Sequence, residues 1–184
     1  MMRPRILPLL IACIILGASA AHAAHERSIS LPTGERLRVD VPVGYSFETE
    51  RNAMGITLVK MENPVWQIVV SAFIFPEEDP ANTTTEWQQN RLITFVADAL
   101  SIAAEKDYNF KPLYPNRGSG TYVVFTDPRV GRGEELPPGE YANLVGGVKA
   151  WVGTTIVFQI LTNDLESPEF QEIMQVFTNS FQRW

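Results

Sequence analysis

Residues Trp66 to Phe75 read as a strand that is apolar on both sides. Side chains alternate along a strand. Trp66, Ile68, Val70, Ala72 and Ile74 therefore share one face, and Val69, Phe73 and Phe75 share the other. Such a strand needs cover on both faces. Tyr122 to Thr126 and Ile156 to Leu161 repeat the pattern, so the sheet they build is expected to be covered twice.

Two helical patterns can supply that cover. One starts near Thr83, where Glu86 three residues on fits a capping box, and its apolar stripe is Leu92, Phe95, Val96, Ala99, Leu100 and Ala103. The other starts at Ser167-Pro168, an N-cap followed by proline at the first helical position. Phe170, Ile173, Met174, Phe177 and Phe181 then recur at helical spacing, the clearest periodic signal in the chain.

Further strands are expected at 36–41, about 55–62, 118–126, 141–152 and 155–162. Leu37, Val39 and Val41 alternate with Arg36, Arg38 and Asp40, as in a strand with one wet face near a sheet edge. Residues 24–35 are polar and expected to be loose up to Ser28-Ile29-Ser30-Leu31. Gly153-Thr154 suits a tight hairpin turn, whereas Asp127–Glu140 is a long polar connection. No domain linker or internal repeat interrupts 24–184, which reads as one domain.

Several strands, a helix, three strands and a closing helix make an α+β chain with an antiparallel sheet between helices. This order resembles the PsbP-like fold, also found in DcrB-type bacterial periplasmic proteins. The resemblance spans about residues 29–182. It rests on element order, on Val41-Pro42 followed by Tyr45, and on the closing Val176-Phe177-Thr178-Asn179-Ser180-Phe181. It implies a three-layer αβα sandwich and a non-catalytic binding or assembly role. No functional residue is carried over from it.

Residues 1–23 look like a secretory signal peptide. Arg3 and Arg5 precede an apolar run from Ile6 to Leu16, and small-residue sites end at Ala20 and at Ala23. Leu10-Ile11-Ala12-Cys13 also resembles a lipobox, which makes a lipoprotein acylated at Cys13 the lesser alternative. Cleavage at Ala23 removes Cys13, the only cysteine of the 184 residues, and leaves His25 as the one histidine. It also removes two arginines and takes the formal net charge from −6 to −8. The expected product is a periplasmic or secreted domain with no membrane span, no disulfide and no attraction to nucleic acid.

Recognisable catalytic patterns are missing. Ser119 lies between glycines, but Gly-x-Ser-x-Gly is absent, and Lys60, Lys106, Lys111 and Lys149 form no Ser-x-x-Lys pattern. A histidine brace at His25 lacks its second histidine. Glu77-Glu78-Asp79 offers oxygens for calcium but matches no calcium loop and reads as solvated turn material. No metal and no cofactor is expected.

The strongest binding candidate is the Asp127–Glu140 connection, because long loops often bind. Asp127, Arg129 and Arg132 are its chemical groups, with both arginines suited to clamp a carboxylate or phosphate. Trp87, in the first turn of a helix, is a second candidate, whereas Trp66 and Trp151 read as buried strand residues. The expectation is a non-catalytic binding or assembly factor of the cell envelope, with a protein or small-ligand partner. The alternatives are a carboxylate-dependent hydrolase of envelope glycans and an enzyme inhibitor.

Overall fold

The structure is a computed structural model that describes residues 24–76 and 79–183. The signal segment with Arg3, Arg5, Cys13 and both cleavage sites, together with Glu77, Glu78 and Trp184, lies outside the described residues. No helix among the described residues is long and apolar enough to cross a membrane.

The described residues are α+β, mostly antiparallel sheet with two α-helices. Its strands are β1 (His25–Ser30), β2 (Arg36–Val41), β3 (Ser46–Arg51), β4 (Thr57–Asn63) and β5 (Ile68–Pro76). A short 3-10 turn, Pro80–Thr83, leads into α1 (Thr85–Ile102). Then follow β6 (Lys111–Leu113), β7 (Ser119–Thr126), β8 (Asn143–Trp151), β9 (Thr154–Thr162), α2 (Pro168–Asn179) and β10 (Gln182–Arg183). Seven strands form one sheet in the order β3-β4-β5-β9-β8-β7-β6, and β1-β2-β10 form a second.

Both helix starts follow from local chemistry. Thr84, one residue later than expected, caps α1 by accepting from the Trp87 amide at 3.3 Å. Ser167 caps α2 by accepting from the Phe170 amide at 3.2 Å, with Pro168 at the first helical position. The hairpin turn between β8 and β9 places Gly153 at φ 86°, a value open to glycine.

One face of the seven-stranded sheet is sealed by α2 and the second sheet together. Val59, Met61, Val70, Ala72, Ile156, Phe158 and Ile160 form a core there with Leu37, Val39, Phe170, Ile173 and Phe177. Phe177 stacks on Phe158 at 3.8 Å between ring centroids. Phe181 completes the stack at 5.4 Å, yet it lies beyond the helix at φ 54° rather than on a last helical turn. The other face carries a smaller core, in which Leu92 and Val96 of α1 pack with Val123, Phe125, Val148 and Val157. A Cβ at Gly146 would stand 2.5 Å from Val96 Cγ1, so the glycine lets α1 approach the sheet closely.

Four expectations change. Residues 25–27 are not loose but belong to β1 with Ser28, Ile29 and Ser30, and His25 lies opposite Val41. The strand 36–41 is no edge; β2 sits between β1 and β10, because alternation reports a wet face but not the number of neighbours. Trp66 belongs to the turn before β5 and is 51% exposed. Its predicted strand starts two residues later because Asn63 Oδ1 accepts the Val65 and Trp66 amides and holds them in a turn. Finally, Val69, Phe73 and Phe75 are only half-buried, because α1 packs mainly over β7 and β8 and meets β5 through Phe95 and Arg91 without covering it. A helix is about 10 Å wide, whereas seven strands at about 4.8 Å spacing span roughly 30 Å.

Candidate functional site

The C-terminal end of α1 is tied to the end of β7 by two hydrogen bonds. The Ala104 amide donates to the Thr126 carbonyl at 2.9 Å, and Glu105 Oε2 accepts from the Thr126 amide at 2.8 Å. This fixes Ala99, Ile102 and Ala103 above the sheet end, where they meet Phe125, Leu144 and Leu161 around a cleft of about 300 Å³. The floor follows the register, since Phe125 lies opposite Leu144 and Leu144 opposite Leu161. Ile102 is left 76% exposed at the rim.

The 127–142 connection supplies the polar mouth. The Asp127 amide donates to the Ala142 carbonyl at 2.8 Å, so the loop leaves and rejoins the hairpin at one point. Asp127, Arg129, Glu140 and Tyr141 line the cleft. Arg129 grips Asp127 bidentately, with Nε to Oδ1 at 2.9 Å and Nη2 to Oδ2 at 2.6 Å, and its own amide donates to Oδ1 at 2.8 Å. The same guanidinium also pairs with Glu140. The hydrogen bonds from Arg129 hold the Asp127 carboxyl down at about pKa 2. The two carboxylates in turn raise Arg129 above its ordinary value.

These pairings restrict the chemistry. An anion entering the cleft has to displace two carboxylates from Arg129. Arg132 does not line the cleft; it is exposed and pairs with Glu134, which lowers the Glu134 carboxyl and raises the arginine. A general acid needs a carboxyl held protonated near neutrality, and Asp127 is shifted the opposite way. With two carboxylates and one guanidinium, the mouth favours a neutral or cationic group.

Asp127 and Arg129 are thus brought together at the mouth, while Arg132 points elsewhere. Trp87 is half-buried at the far end of α1, about 22 Å from Ile102 at a rise of about 1.5 Å per residue. Trp151 is half-buried at the end of β8. Ser119 is a structural residue, donating to the Thr83 carbonyl at 2.8 Å and accepting from Gln88 Nε2 at 2.7 Å. Asp79 caps the 3-10 turn by accepting from the Ala81 amide.

Glu140, Ile102, Leu144 and Leu161 are site residues that the sequence did not single out as such. Glu140 was legible as the acid closing the charged loop. The three aliphatic residues carry the same signal as core residues, and only the register and the end of α1 separate them.

A comparison with protein-family models finds no match for this chain, and a search of curated proteins finds none.

Proposed function

We propose that this chain is an exported, non-catalytic binding or assembly factor of the bacterial cell envelope, and that its ligand site is the cleft at the C-terminal end of α1. The observation that carries this reading is an apolar floor closed by a polar mouth whose charges are already paired. Small-molecule sites have this character, with apolar walls, few polar groups and volumes from about 300 Å³ upward. The ligand is a compact apolar group with a neutral or cationic end. The signal segment supports export. Separate apolar cores on the two faces of the seven-stranded sheet support a PsbP-like, three-layer arrangement.

The test is titration with N-phenyl-1-naphthylamine, a neutral apolar fluorophore. Saturable, one-to-one binding is expected. Ala99→Trp, which fills the cleft from α1, should weaken binding at least tenfold, whereas Arg132→Ala should leave it unchanged. Absence of saturable binding to the wild-type chain overturns the reading.

A further inference from the structure

On β4 and β5 the two faces differ sharply. Val59, Met61, Val70 and Ala72 are wholly buried towards α2. Their neighbours on the α1 side, Leu58, Val69 and Phe73, are half-buried and lie outside both apolar cores. The pairing makes these residues one surface. Leu58 lies opposite Phe73, and Val69 lies opposite Leu161 on β9. Ser71, opposite Gln159, sits between the two pairs.

The surface is bounded on one side by α1. Phe95 meets Phe73 edge-on at 5.7 Å, and the Arg91 guanidinium lies 4.7 Å from the centre of the Phe75 ring. On the other side runs the edge strand β3, which presents Glu48 opposite Lys60 and Glu50 opposite Leu58. Glu62, opposite Val69, closes one end. Three carboxylates and one ammonium therefore rim an apolar floor on β3 and β4. The strands β3, β4, β5 and β9 span about 14 Å, room for one more helix beside α1.

We propose that this open half of the sheet docks an amphipathic helix of a partner protein, with an apolar stripe on the Leu58, Val69, Phe73 and Leu161 floor and lysine or arginine residues towards Glu48 and Glu50. Charge complementarity selects this occupant. A second copy of the chain, paired face to face about a two-fold axis that runs across the strands, would set the Glu48, Glu50 and Glu62 rim against its own like charges. The surface is distinct from the cleft, although Leu161 borders both.

The experiment is fluorescence anisotropy of a labelled 18-residue leucine/lysine amphipathic peptide on the mature domain. A leucine/glutamate peptide of the same pattern is the control. The leucine/lysine peptide should bind at least tenfold more tightly than the control. Ser71→Arg, which plants a cation in the middle of the floor, should weaken it at least tenfold. The double variant Glu48→Lys/Glu50→Lys, exposed and remote from the core, should do the same. N-phenyl-1-naphthylamine binding should survive both, which separates this surface from the cleft. Absence of leucine/lysine binding overturns the proposal. So does loss in the Glu48→Lys/Glu50→Lys variant alone, which would mark mere attraction to an acidic rim. Self-association in the ultracentrifuge that Ser71→Arg abolishes would give the face to a second copy instead and overturn it equally.

Discussion

The side-chain ammonium of Lys149, 1% exposed, donates to the main-chain carbonyl of Ser180 at 2.6 Å. Ser180 in turn accepts from the Asp40 amide and donates to Asp40 Oδ2, each at 3.0 Å. One buried cation on β8 thereby links the large sheet, the end of α2 and the small sheet.

Burial pushes the Lys149 ammonium from 10.5 down to about 8. Between these values the unfolded chain binds more protons than the folded one, so stability rises with pH across that window. The penalty of the buried charge is present in full below pH 8. The gain from pH 7 to pH 9.5 should be about 2 kcal/mol in urea unfolding. Lys149→Met, of similar shape, should flatten that rise. An undiminished rise in the variant would place its origin in other groups.

Phe177 is fully buried and stacked between Phe158 and Phe181. Phe177→Ala should cost about 3–5 kcal/mol, read from the urea midpoint. A midpoint near that of the wild type would mean that the stack collapses around the gap.

A Cβ at Gly147 would enter the space of the Phe158 ring, whereas one at Gly131 would meet no atom within 4 Å. Gly147→Ala should destabilise by about 1–3 kcal/mol, as overpacking does, while Gly131→Ala should melt within about 0.5 kcal/mol of the wild type. Equal melting temperatures for the two variants would show that the Phe158 ring moves aside freely.

The loop should matter for the cleft more than for the fold. Replacing residues 129–138 by Gly-Asn alters closure entropy by only about 0.6 kcal/mol per halving of length. Circular dichroism melts should therefore stay close to those of the wild type. Fluorophore binding should weaken, because Arg129 no longer draws Asp127 and Glu140 together at the mouth. Unchanged binding would reduce the loop to a connection.

Local chemistry in the sequence determined much of this protein. Side-chain caps and proline at Ser167-Pro168 start α2 where they stand, and the Phe170, Ile173 and Phe177 stripe is buried as its 3.6-residue period requires. Runs apolar on both faces likewise located β5, β7 and β9, and the turn residues Asn63-Pro64 and Gly153-Thr154 bounded β4 and β8. Asp127 and Arg129 were legible as a charged loop. Tertiary structure alone decided which strands pair, so β2 became the centre of a separate sheet although its wet face read as an edge. It also committed Arg129 to two carboxylates instead of an anion, since Asp127 and Glu140 converge only when the loop closes. The half-open face of β5 was equally invisible. A run apolar on both faces states that Val69 and Phe73 prefer cover, but whether a single helix is wide enough to cover them is a property of the assembled sheet.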